Sequence, residues 1–308
     1  MITKNDLFPI GIGTWGVGGF AEKDQTLDKN KQVDAIAYMF QKGMNYVEAN
    51  LWYSQGYSAE ILAEAFRKSG KNREEIFIVQ AVYLKDNKLQ DTEAEIDRLL
   101  KIFDTDYIDT LQYTQSAFLD YEFDEVCSMA DKVVTAGKSR YTSITNENLE
   151  LLKKYHQRFG DKLFSHEVCF NFEVRANEAE GTIEYAQNNG IVTAIYQPLR
   201  RNRTANRNWP ILVELSKKYG ITQNQVVLSW IISKGLLPLT KSENKAHIDE
   251  HLAAIGHKLD PSDIQKLNDF IPPGYKTLPI DWDKTGQGFR IDQVSNVFDE
   301  EYAKQISG

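Results

Sequence analysis

Along most of the chain, short apolar runs alternate with longer segments whose apolar residues recur every three or four positions. Strand-like runs begin near Phe8, Asn45, Ile76, Tyr107, Arg140, Phe164, Ile191 and Leu236. Helical periodicity follows them. In Lys31 to Gln41, Val33, Ile36, Ala37 and Phe40 share one face, and in Thr92 to Phe103 the same holds for Ile96, Leu99, Leu100 and Phe103. Phe123 to Val134 is a third such segment, and two helices, Pro210 to Lys218 and Gln223 to Ser233, follow the seventh run. Gly43, Gly137, Gly190, Gly220 and Gly235 stand where helix C-termini fall, and Thr222 stands where a cap for Val226–Ile231 is needed. Strands separated by helices rather than by hairpin turns pair in parallel through crossovers. Eight such units in about 260 residues predict a closed (β/α)8 TIM barrel, one domain spanning residues 1–308. An open doubly wound sheet is the competitor. Its glycine fingerprint is only partly matched, because Thr14-Trp15 interrupts Gly11, Gly13, Gly16, Gly18 and Gly19.

The stretch 271–308 breaks this rhythm. It carries Pro272-Pro273-Gly274, Trp282 and Gly286-Gln287-Gly288 and reads as a long loop with a short terminal helix. Its aromatic residues favour packing, and a loop over the barrel mouth is the functional expectation.

Composition narrows the partners. The 308 residues are 42% hydrophobic, with a net charge of -8. That balance disfavours a nucleic acid or an anionic membrane as partner. No run approaches 18 apolar residues and Met1–Asp6 lacks an apolar signal segment, so the expectation is a soluble cytoplasmic protein with a small-molecule ligand. Cys127 lies in a helical pattern and Cys169 in a strand pattern, and both are expected as buried free thiols. No His, Asp or Glu grouping has metal-ligand spacing, and no nucleophile elbow occurs. A protein partner is not readable from the chain.

The order of motifs resembles the aldo-keto reductases over roughly Phe8 to Phe270. The opening Ile10-Gly11-Ile12-Gly13-Thr14-Trp15-Gly16 is followed by Gly43-Met44-Asn45-Tyr46-Val47-Glu48-Ala49-Asn50-Leu51-Trp52-Tyr53. Then come Tyr57 to Leu62, Tyr107 to Gln112, Gly137 to Tyr141, Tyr196-Gln197-Pro198-Leu199, and Lys241-Ser242 with Glu250. Each is a weak signal alone, whereas the shared order and spacing are specific. The resemblance implies a catalytic tetrad of Asp, Tyr, Lys and His. It falls here on Glu48, Tyr53, Ala81 and Thr114, so only the tyrosine is kept. It also implies NADP(H) or NAD(H) binding. Thr145 and Asn146 fall where the carboxamide is held, and Tyr196 where a ring stacks on nicotinamide. Lys241 and Ser242 meet phosphate, and Glu250 meets adenine. Three positions depart, all histidines: His166 is aligned where a glutamine holds the carboxamide, and His247 where an arginine grips the 2′-phosphate. His251 stands in place of an asparagine at the adenine end. A histidine is mostly neutral at pH 7 and lacks a bidentate fork, so NADP, NAD or no dinucleotide at all stay open.

The chemistry follows from charge. A phenol has a pKa of about 10 and needs a nearby cation to become a better acid. With Ala81 in the lysine position, Glu48 raises that pKa instead. Lys85, four residues on, is too far along a strand to substitute easily. Three readings result. One is a redox enzyme with impaired or altered carbonyl reduction. The second is a pseudoenzyme that binds a nucleotide or metabolite without turnover. The third is non-redox acid/base chemistry by Glu48 and Tyr53. The mouth is expected to be aromatic, from Trp15, Trp52, Tyr83 and Tyr113, which suits a flat or sugar-like ligand. The loop Arg200 to Arg207 is either a solvated basic loop or an anion clamp. His156 and His257 are assigned no role.

Overall fold

Each of the eight apolar runs becomes a strand, and the strands close on themselves in chain order. The computed structural model describes residues 2–84 and 88–271. Its strands are β1 (Gly11–Ile12), β2 (Tyr46–Ala49), β3 (Phe77–Val82), β4 (Ile108–Thr114), β5 (Ser139–Thr145), β6 (Leu163–Cys169), β7 (Val192–Tyr196) and β8 (Leu237–Thr240). They form a closed barrel in which all neighbours are parallel and β8 returns to β1. The expected (β/α)8 TIM barrel is what the chain adopts, and the open sheet is excluded. The first strand begins three residues later than the apolar run at Phe8, whose backbone N–H is satisfied by Asn45 Oδ1 at 2.8 Å instead of by a ladder.

The helices follow their sequence signals. Lys29–Gln41 buries Val33, Ile36, Ala37 and Phe40, with Asp28 capping its first turn. Thr92–Phe103 buries Ile96, Leu99 and Phe103, and Leu100 packs half-buried beside them. Gln223–Ser233 starts with a capping box in which Thr222 Oγ1 accepts from Gln225 N–H. This helix is buried on nearly all sides, which explains its near-continuous apolar run. Cys127 and Cys169 are buried and unpaired. No helix among the described residues is long and apolar enough to cross a membrane. The 271–308 extension, beyond Ile271, and Lys85 lie outside the described residues.

Closure has one consequence for chemistry. In an eight-strand barrel, β2 and β6 stand diametrically opposite. Side chains at the upper ends of β2, β4 and β6 therefore converge on the axis.

Candidate active site

A large cavity of about 1730 Å³ opens at the C-terminal ends of the strands. This is the face on which (β/α)8 barrels carry their chemistry. Glu48 and Tyr53 line one end, and Thr145, Asn146 and Tyr196 line its middle. Lys241, Ser242, His247, Glu250 and His251 line the other end. The barrel thus gathers residues scattered over 200 positions of sequence.

At the catalytic end, Tyr53 is fixed just after β2 by a short 3-10 turn, Tyr53–Gly56. Its phenol donates to Glu48 Oε1 at 2.8 Å, and both side chains are only 5% exposed. Burial raises the Glu48 carboxyl from 4.5 to about 7, although hydrogen bonding from Tyr53 and the Thr14 backbone pulls the other way. Burial, and then the Glu48 charge, lift the Tyr53 phenol well above its ordinary value. The other groups acting on it are Tyr83 and Glu167, so among the described residues none of its strongest influences is a cation.

Ala81 and Thr114 do not line the cavity. Ala81 pairs in register with Gln112, so its methyl shares the interior face with that side chain. The Thr114 hydroxyl donates to Val82 O at 3.2 Å and sits 2.8 Å from Ser116 Oγ. Thr114 is thus committed to the turn into the helix Gln115–Asp120.

Two expectations about this end need correction. His166 does not reach the mouth. It is fully buried, and its Nε2 accepts the Glu147 N–H at 3.2 Å. Burial lowers its pKa to about 3, so it stays neutral. The next residue, Glu167, lines the cavity instead, in register with Thr145. Glu167 was not found from the sequence. All seven residues of β6 are buried, so its hydrophobic pattern carries no signal of which face is inside. Burial pushes the Glu167 carboxyl well above its ordinary value, and the charge of Glu48 adds to this. Gln112 Nε2 donates to Glu167 Oε2 at 3.1 Å. Tyr113 is the second correction: it points into the apolar core and does not line the mouth, whereas Tyr83 does.

Aromatic rings wall this end. Trp15 stacks on Trp52 at 5.8 Å, and Trp52 on Tyr83 at 5.3 Å. Tyr53 meets the Trp15 ring edge-on at 4.8 Å.

The opposite end is cationic. Lys241 Nζ donates to Gly16 O at 3.0 Å. Gly16 has φ +83°, and a Cβ there would meet the Phe20 ring at 3.0 Å, so a side chain would disturb this junction. Burial lowers the Lys241 pKa, the Glu243 charge raises it, and the charge of Arg201 lowers it again. Two cations brought together in a partly desolvated cleft favour an anion between them. Ser242 lies just ahead of the helix Lys245–Ala253, whose first turn is capped by Asn244. These features, with Tyr196 and Asn146 in the middle, fit the phosphates and rings of a dinucleotide. Asn146 takes φ +62°, and its Oδ1 accepts from Tyr196 Oη at 2.6 Å, which fixes the Tyr196 ring. His251 is buried and held neutral, its pKa lowered to about 4 by burial. Glu250 Oε1 accepts from Thr222 Oγ1 at 2.6 Å, tying the last helix of the site to the capping residue.

The basic loop after β7 is neither wholly solvated nor a uniform clamp. Arg200 turns inward to a buried ion pair with Glu173. Trp209 Nε1 donates to the same carboxylate at 2.6 Å, and Arg207 approaches it at 3.5 Å. Arg201 lies over the Phe20 ring at 4.9 Å and lines the cavity. Three consecutive non-glycine residues, Arg200, Arg201 and Asn202, hold positive φ. The buried Glu173 is the anchor that offsets such strain.

The sequence pattern of the Aldo/keto reductase family matches residues 9–272. Methylglyoxal reductase DkgB of Yersinia pestis is 24% identical over 80% of this chain and 88% of that protein. The NADPH-dependent alpha-keto amide reductase of Saccharomyces cerevisiae is 25% identical over 89% of each. Among solved structures, the thermostable aldo-keto reductase Tm1743, in complex with the inhibitor epalrestat, superposes with a TM-score of 0.78 at 27% identity, covering 85% of this chain and 94% of that one. An aldo-keto reductase from Klebsiella pneumoniae in complex with NADPH matches in fold, with a TM-score of 0.75 at 22% identity over 89% of this chain and 95% of that one. With the matched pattern spanning most of its length and the barrel carrying its cavity on the expected face, this chain belongs to the aldo/keto reductase family.

Proposed function

We propose that the cavity binds NADP(H) and that the chain is an oxidoreductase whose reduction of simple carbonyls is attenuated. The cofactor's phosphates would meet Lys241 and Ser242, its adenine end His247 and Glu250, and its nicotinamide end Thr145, Asn146 and Tyr196. Bound NADP(H) supplies hydride to an electrophilic carbon.

The chain's own residues govern the proton. One observation carries the attenuation: the Tyr53 phenol donates to a buried acid, Glu48, where the family pairs its tyrosine with a lysine. A phenol whose proton is directed into a carboxylate, and whose pKa is raised, is a weak proton donor to a substrate oxygen. Glu48, titrating near 7, is the better acid of the pair below that pH. Losing one preorganised stabiliser of a developing oxyanion costs about 3–4 kcal/mol, roughly 100- to 1,000-fold in rate. Two are replaced here, Ala81 and Thr114, and such losses need not add.

Fluorescence titration with NADPH and NADH, followed by a broad carbonyl panel, tests the reading. Saturable NADPH binding that weakens about 30-fold or more in Lys241→Ala is expected, from loss of a charge-assisted contact. Slow turnover that falls further as pH rises through about 7 is also expected. Binding without any turnover would instead favour a ligand-binding pseudoenzyme. Activity that persists without dinucleotide and vanishes in Glu48→Gln would favour acid/base chemistry. A flat titration up to millimolar NADPH would overturn the cofactor assignment itself.

A further inference from the structure

Two acids and one unpartnered amide oxygen meet at the inner end of the cavity. Glu48 on β2 and Glu167 on β6 face the axis from opposite walls, each buried and each raised in pKa. Between them Gln112, 1% exposed, gives its amide N–H to Glu167. Its carbonyl oxygen, Oε1, has no hydrogen-bond partner among the described residues, although it is buried at the cavity wall. An orphaned buried acceptor costs about 1–3 kcal/mol unless something donates to it. The Trp15, Trp52 and Tyr83 rings add π faces beside these acceptors. A group that donates several hydrogen bonds and carries positive charge would satisfy that oxygen and both carboxyl groups together.

We propose that the inner end of the cavity, bounded by Glu48, Gln112, Glu167 and the Trp15–Trp52–Tyr83 wall, recognises an organic ammonium group, so that the substrate of this chain carries a protonated amine. This rests on the proposed cavity function but not on the cofactor assignment. An ammonium has three donors and no acceptor, which matches two carboxyl groups and one amide oxygen. Aromatic rings hold organic cations through their quadrupoles. A neutral sugar also offers donors, yet it leaves unanswered why two acids face each other in a desolvated mouth, where like charges oppose ionisation. The titratable groups around the pair are Tyr53, Tyr83 and Tyr196, all phenols raised by burial, with Tyr46 beneath them. Behind the Trp15 wall lie Lys241, bonded to Gly16 O, and Arg201, over the Phe20 ring that packs on Trp15; neither is among the strongest influences on Glu48 or Glu167. Cation binding should therefore drive the acids to ionise and release protons.

Calorimetry on the full-length protein with benzylamine, benzyl alcohol, benzoate and glucose provides the test. Benzylamine should bind at least tenfold tighter than the other three. In buffers of different ionisation enthalpy at pH 6.5–7, its binding should release at least about half a proton, and benzyl alcohol should release none. Glu167→Gln should weaken benzylamine at least tenfold and leave benzyl alcohol unchanged. Because that substitution removes a buried acid, the thermal midpoint should not fall. If it does fall, the wild-type ligand comparison and proton count still decide. Equal binding of amine and alcohol, tighter binding of glucose, or amine affinity insensitive to Glu167→Gln would overturn the ammonium site. Tight benzylamine binding beside a flat NADPH titration would overturn the cofactor assignment alone and support the ammonium site.

Discussion

The two ends of one cavity have opposite electrostatic characters. At the end proposed for phosphate, Lys241 is held by Gly16 O and feels both Glu243 and Arg201, and a capped helix begins just beyond Ser242. At the catalytic end two buried acids and several phenols act on one another, with no cation among the strongest influences on Tyr53. Anion recognition is distributed over lysine, hydroxyl and backbone groups, so it tolerates drift at single positions. In the proposed reading, proton delivery depends on one charge at one place, the position of Ala81. The comparison teaches that the two ends of one barrel mouth can carry opposite charge character, so that under the proposed function cofactor recognition and proton transfer can be altered separately.

The comparison is best broken by putting the charge back. Ala81→Lys places an ammonium on the interior face, beside the strand that carries Glu48. Aldehyde reduction should rise roughly 100- to 1,000-fold in kcat/KM if that charge is what is lacking. An unchanged rate, with the fold intact by circular dichroism, would show that the obstacle lies elsewhere.

Glu48→Gln measures how strongly the acidic end is desolvated. Glu48 titrates near 7 in the folded chain and near 4.5 when unfolded, so the folded state keeps its proton longer. The folded state is therefore fully stable below about pH 4.5 with respect to this group, and loses stability as pH rises through about 7. A shift of that size corresponds to about 3 kcal/mol, part of it shared with Glu167. Urea midpoints should show Glu48→Gln stabilising by up to that amount at pH 8, with the gain disappearing near pH 4.5. A pH-independent difference would mean that the carboxyl is solvated.

The smallest expected effect lies at the junction of the phosphate end with its supporting helix. Thr222 caps Gln223–Ser233 and also donates to Glu250. Thr222→Ala should cost about 1 kcal/mol in the thermal or urea midpoint. It should change NADPH affinity by only a few-fold. A loss as large as that expected for Lys241→Ala would mean that Thr222 is what positions Glu250 for the adenine end.

Much of the barrel was legible because its signals are local. The periods at Lys29–Gln41 and Thr92–Phe103, the Thr222 cap and the glycines after the helices each report on their own few residues. The Glu48–Tyr53 pairing was legible for the same reason, since five residues separate its partners and the chain turns back directly after β2. Other features were not. β6 is buried along its whole length, so its pattern could not distinguish inside from outside, and His166 was favoured over Glu167. Tyr113 failed in the same way, on a strand that is also buried throughout. The Arg200–Glu173 pair joins two crossover loops that only the closed barrel brings together. The amino-acid sequence by itself determined the order of strands and helices and the identity of the group beside each candidate position. Tertiary structure alone decided which acids meet across the axis, because convergence in a closed barrel depends on register and strand rotation, and neither leaves a mark in the local alternation of a strand buried on both faces.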